Sequence, residues 1–191
     1  MTPMTVSRIV IGLIGLTLTQ LAFAHGGQGE SGIAGGLGHS LAGPEHALAL
    51  IGFGAWAVLV FRGTAWRLLA GTLCAIALGG LTGWLVPRGP MPDSIAAAWL
   101  LSTGLLIALR ERLNLHVATA GLIVLAAVQG YAHAAVGHGI ADPAGFALGT
   151  MLASALLMFI GTSLGGALRV DRAVQAGGLA LVACGVLFLI A

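Results

Sequence analysis

Six histidines, His25, His39, His46, His116, His133 and His138, stand out in a chain with little else able to do chemistry. The densest group is His39-Ser-Leu-Ala-Gly43-Pro44-Glu45-His46, two imidazoles and a carboxylate. That donor set suits Ni²⁺, Co²⁺, Zn²⁺ or Fe²⁺ rather than a soft ion or Ca²⁺. In one continuous helix His39 and His46 would lie about 10.5 Å apart along the axis. Gly43-Pro44 opposes that continuity and makes Pro44 the first residue of a new helix after a turn. His39 can then fold back toward Glu45 and His46. The second group is Gln129-Gly-Tyr-Ala-His133, followed by His138. Gln129 and His133 are four apart and share a helix face. His138 lies about 140° round from His133 on an ideal helix, so both reach one ion only where the helix ends or bends. Gly137 and Gly139 permit that. The plainer reading makes Glu45 an interfacial residue and His133 an interhelical hydrogen-bonding group.

Other chemistries lack their residues. There is no H-E-x-x-H, no C-x-x-C, no nucleophile-type serine motif and no G-x-x-x-x-G-K-[ST]. Direct drive by nucleotide is therefore unsupported. Cys74 and Cys184 read as small packing residues. A metal site here admits an intramembrane metal-dependent hydrolase, with Ser40 and Ser102 the nearest hydroxyls, or a metal-binding sensor or scaffold without transport. No resident cofactor is expected.

The elements that carry these residues are helices in a membrane. Of the 191 residues, 58% are hydrophobic and 7% are charged, there is no lysine, and mean hydropathy is +1.03. A soluble domain carries about 25% charged residues. Eight arginines against six acids leave +2, with no basic cluster to track phosphates, which excludes a nucleic-acid binder. Met1–Ala24 has Arg8, an apolar stretch from Ile9 to about Leu18, and Ala22-Phe23-Ala24. That is the form of a cleavable signal peptide ending before His25. It implies a bacterial inner membrane and a mature N-terminus delivered outside the cytoplasm.

Six apolar segments follow, at about 40–61, 66–87, 93–109, 114–137, 144–165 and 173–191. Each is long enough to cross about 30 Å of hydrocarbon as a helix, the third and sixth being near the short limit. The expected fold is an all-α, six-span bundle over 25–191. Gly79-x-x-x-Gly83 and Gly161-x-x-x-Gly165 suit close packing in lipid. No internal repeat is evident. Arg62 with Arg67, Arg110 with Arg112, and Arg169 with Arg172 occupy alternate loops, against Arg88 alone on the other side. Positive charge marks the cytoplasmic side, so both mature termini are expected in the periplasm. His25, His39, His46, His133 and His138 then gather toward the outer face, with His39 and His46 at the entrance of the first span. His116 falls at the cytoplasmic end. The lipid bilayer and a divalent ion are the expected partners; the sequence leaves oligomeric state open, a homo-oligomer included.

With these motifs in view, the sequence resembles the HupE/UreJ family of small membrane proteins. The family's first-span motif has the form H-P-x-x-G-x-D-H and stands here as His39 to His46. Its fourth-span signature, close to F-H-G-x-A-H-G, corresponds to Val128-Gln129-Gly130-Tyr131-Ala132-His133-Ala134. The resemblance implies a nickel or cobalt permease serving hydrogenase or urease. His25 and His39 would collect the ion. Glu45, His46 and His133 would hold it, with Gln129 as a weak further ligand and His138 nearby. Three departures matter. Ser40 replaces proline, Glu45 replaces aspartate, and Gln129 replaces a histidine, exchanging an imidazole for an amide. Met158 or a neighbour stands where a fifth-span histidine is common.

Overall fold

The computed structural model describes residues 31–86, 94–109, 114–137, 139–167 and 171–190. The proposed signal peptide, His25, Arg88, Arg110, Arg112, His138 and Arg169 lie outside the described residues. Seven α-helices are described: α1 Gly32–Ala42, α2 Pro44–Phe61, α3 Ala65–Leu85, α4 Ser94–Leu109, α5 Leu115–Gly137, α6 Pro143–Ala167 and α7 Asp171–Ile190. A short 3₁₀ turn, Arg62–Thr64, joins α2 to α3, with Arg62 at φ 42.

The runs are apolar on every side, so only internally bonded backbone can satisfy their peptide groups in lipid. Capping groups mark two starts. Asn114 Oδ1 accepts the His116 and Val117 N–H groups at 3.0 and 3.3 Å, and Asp142 Oδ1 accepts that of Gly145 at 2.9 Å. Both are side-chain N-caps. Four stretches are long and apolar enough to cross a membrane: Pro44–Leu85, Leu115–Gly137, Pro143–Ala167 and Arg172–Ile190. The first contains α2 and α3 in succession; α4 is a shorter apolar helix. Phe159, Val117, Leu78 and Leu187 are among the large side chains facing outward. The core holds Phe53, Trp56, Trp99 and Leu100, all at 2% exposure or less.

The expected segments agree with α2 to α7 to within a few residues, but α1 was not expected. Residues 32–38 include four glycines, which disfavour a helix in isolation. Packing supplies what propensity lacks. α1 and α2 lie in turn along α6, all running in one direction. Ile33 and Gly36 meet Gly149 and Phe146, and Ile51 and Gly54 meet Gly161 and Met158. A Cβ on Gly36, Gly54, Gly149 or Gly161 would strike the backbone of the facing helix. Such contact allows Cα–H to approach carbonyl oxygen. α1 and α2 thus form a discontinuous helix beside α6, broken at Gly43 near the middle of α6. α3 and α5 also run parallel, through Gly79, Gly83 and Gly130. α4 and α7 run antiparallel through Gly104 and Gly178. The Gly79/Gly83 and Gly161/Gly165 pairs therefore do the close packing that their spacing suggested.

Candidate metal centre

The break between α1 and α2 is built from Gly43 and Pro44. Gly43 is extended, at φ −77 and ψ 104, and Pro44 opens α2. Proline has no N–H for the Ser40 carbonyl that a continuous helix would bond. The Gly43 N–H closes α1 on His39 O at 3.2 Å, and Ala47 N–H restarts the pattern on Gly43 O at 2.9 Å. A Cβ on Gly43 would lie 3.0 Å from both Glu45 Oε1 and His46 Nδ1, so the corner holds no larger residue without shifting them.

This corner turns His39, in the last turn of α1, back onto His46, in the first turn of α2. α5 brings His133 to the same point. The ring centroids of His39, His46 and His133 lie 5.1 to 5.3 Å from one another. One nitrogen from each ring can be chosen so that all three lie within 4.8 Å of one another. An ion bound by imidazole needs each nitrogen at about 2.0–2.1 Å. Modest ring rotations gather these three around one ion.

Glu45 stands one step behind the rings. Its Oε1 lies 2.8 Å from His46 Nδ1. A carboxylate only accepts, so Nδ1 carries the proton and Nε2 offers a lone pair. Gln129 Nε2 lies 2.6 Å from that Nε2 and donates to it. The resulting chain, amide to imidazole to carboxylate, leaves His46 the tautomer that a metal takes. A carboxylate behind a ligating histidine fixes its ring and raises its basicity. Glu45 is expected beside the ion; in the structure its carboxylate faces the His46 ring.

Several polar atoms here have no partner. Both nitrogens of His133, Gln129 Oε1 and Ser40 Oγ are buried without a hydrogen bond among the described residues. Buried polar groups are ordinarily satisfied, so these atoms are the ones the site offers to a water or an ion. His133, Gln129 and His46 are 9% exposed or less. An almost wholly apolar cleft of about 570 Å³ between α3, α5 and α6 reaches His133, with Trp84, Phe146 and Met151 in its walls.

The structure thus brings together His39, Glu45, His46, Gln129 and His133. His25 and His138 lie outside the described residues. His116 is exposed on the first turn of α5, at the far end of the bundle with Arg62, Arg67 and Arg172. His39, expected at the mouth, is a full member of the ring cluster, because α1 continues the first helix beyond it. Phe146 was not expected: its ring lies 5.6 Å from that of His39. Nothing in the local sequence of α6 marks it. Ser102, a candidate hydrolase nucleophile, donates its hydroxyl to the Ala98 carbonyl of its own helix at 2.8 Å.

Comparison with known proteins agrees with the geometry. The chain is 28% identical over 172 residues to Protein HupE of Rhizobium leguminosarum bv. viciae, covering 90% of each chain. No solved structure matches. The family described as HupE / UreJ protein matches residues 13–188. That family is linked to nickel and cobalt uptake for hydrogenase and urease, and its members are transporter-like rather than enzymes. A multi-pass helical chain with this motif and this family match belongs to the HupE/UreJ family.

Proposed function

We propose that this protein is an inner-membrane permease for a divalent transition metal, nickel first and cobalt next, feeding the maturation of a metalloenzyme such as hydrogenase or urease. The observation that carries this is His133. Its imidazole is buried and faces His39 and His46, with ring centroids 5.1 and 5.2 Å away. His39, His46 and His133 hold the ion. Glu45 supports His46, and its charge lowers the cost of bringing a dication into a medium of low dielectric. Gln129 yields the His46 lone pair when the ion arrives and offers its amide oxygen instead. An amide is a weaker ligand than imidazole for late transition metals. Moderate affinity suits conduction, because a site that binds too tightly does not release.

Six crossings, α2 to α7, follow a signal peptide removed before His25. The arginine-bearing end faces the cytoplasm, and the histidine end and both mature termini face the periplasm. His25 and His138 then serve as collecting ligands at the outer mouth. The test is uptake of labelled nickel and cobalt by cells or vesicles containing the protein. His46→Ala and His133→Ala should each reduce accumulation to background while leaving the folded protein in the membrane. Unchanged accumulation in both would sink the proposal.

A further inference from the structure

The glycine contacts repeat within the bundle. In the α3–α5 pair, a Cβ on Gly79 would strike Ala127 O, and one on Gly130 would strike Ile76 O. In the α6–α2 pair, the corresponding contacts are Gly161 with Ile51 O and Gly54 with Met158 O. Matching α3 to α6 and α5 to α2 therefore equates Ile76 with Met158, Gly79 with Gly161, Ala127 with Ile51 and Gly130 with Gly54. The register so fixed can be checked on a third glycine. Gly83 meets Tyr131 and Ala134; its counterpart Gly165 meets Ala55 and Val58. Those are the counterparts of Tyr131 and Ala134 in the same register.

The remaining pair, α4 with α7, must map onto itself, and it does. Gly104 meets Gly178, Leu181 and Val182, while Gly178 meets Gly104, Ile107 and Ala108. Exchanging the helices turns one set into the other. An antiparallel pair that maps onto itself has its two-fold axis across the helices, in the plane of the membrane. The other directions agree. α5 and α6 run antiparallel, since Gly137 at the end of α5 meets Pro143 and Phe146 at the start of α6, and Gly130, a turn or two earlier, lines one cleft with Thr150 and Met151. With α3 parallel to α5 and α2 parallel to α6, the matched helices α3 and α6 point opposite ways.

We propose that α2–α4 and α5–α7 are inverted copies of one three-helix unit. The ion crosses when the two copies exchange conformations. Inverted repeats with a broken helix at the site are the architecture of alternating access. The cleft beside His133 and Ala134, between α5, α3 and α6, has Trp84, Gly137 and Pro143 in its lining toward the histidine end of those helices. Its counterpart lies between α2, α6 and α3 beside Ala57 and Val58, and opens toward the arginine end as the first closes. Ala57, at 0% exposure, is the counterpart of His133, so the ion meets no second imidazole on that side. This rests on the reading of the site as a passage for metal.

The test needs no metal. In a Cys74→Ala, Cys184→Ala background, Ala134→Cys and Val58→Cys are introduced together in the full chain in sealed vesicles. Membrane-impermeant maleimides are then applied from each side. Ala134→Cys should label from the histidine side and Val58→Cys from the arginine side. Occupying the first with a bulky maleimide should slow labelling of the second severalfold, because it holds the population in the state that hides the second. If the Val58 variant does not accumulate, the counterparts Tyr131→Cys and Ala55→Cys carry the same test. Labelling of both from one side, or a second rate indifferent to the first, overturns the exchange. Nickel uptake by the cysteine-free parent is scored separately, so loss of the metal reading is not confused with loss of the exchange.

Discussion

The α3–α5 and α6–α2 pairs share their glycine contacts and differ in chemistry. Gly79 and Gly161 do the same job, and so do Gly83 and Gly165. Yet His46 has Leu122 as its counterpart, Gln129 has Phe53, and His133 has Ala57. Gly43-Pro44 has Thr119-Ala120, and there α5 runs unbroken. The backbone scaffold needs only a small residue opposite a carbonyl, and that requirement survives extensive change elsewhere. A site needs a handful of polar residues in one copy. A protein can therefore keep two scaffolds and build a single centre.

The comparison can be broken most severely at its shared feature. Gly79→Leu and Gly161→Leu should each abolish recovery of folded protein from detergent, because backbone and not a flexible side chain would have to move. Overpacking of this kind costs about 1–3 kcal/mol and sometimes more. Equal defects at the two positions support the repeat; a defect at one alone breaks it. The chemical difference is tested next. His133→Ala should end nickel uptake with the fold intact, whereas Ala57→Ser, at its counterpart, should leave uptake within about twofold, the range of a mild core change. Glu45→Gln keeps the shape and removes the charge behind His46. Loss of such a supporting carboxylate costs about 10–100-fold in metal affinity, measured by titration of purified protein. Gln129→His restores an imidazole and should tighten nickel binding several-fold, with slower release in a flux assay. The smallest effect is expected at Gly121→Leu, where a Cβ meets nothing within 4 Å. Thermal unfolding should change by under about 0.5 kcal/mol.

Much of this was legible in the chain. Pro44 announced a helix start, and the long uncharged runs announced α2 to α7. The sequence singles out His39, Glu45, His46, Gln129 and His133, and these five meet at one place. Depth and roles were not legible. α1 is hidden by its glycines, which local propensity counts against a helix and which α6 turns into contact. Without α1, His39 reads as a residue at the mouth. Glu45 adjoins His46 in sequence, and adjacency does not say whether a carboxylate faces an ion or the back of a ring. The repeat is silent because its halves share interface shape rather than residue identity. Few residues coincide beyond glycines such as Gly79 and Gly161, in a chain with 31 glycines.

The break at Gly43 is also an electrostatic arrangement. A helix carries about half a positive charge at its N-terminus and half a negative charge at its C-terminus. Cutting one helix in two in mid-bundle uncovers one end of each kind at the same place. α1 ends at Ala42, and its last turn, which carries His39, brings its negative pole toward the ring cluster, which favours a cation. α2 begins there with its positive pole, which opposes one. Glu45, in the first turn of α2, sits where a carboxylate cancels that pole. The macrodipole of α1 is then left unopposed, and the gap holds a standing negative potential before any ion arrives.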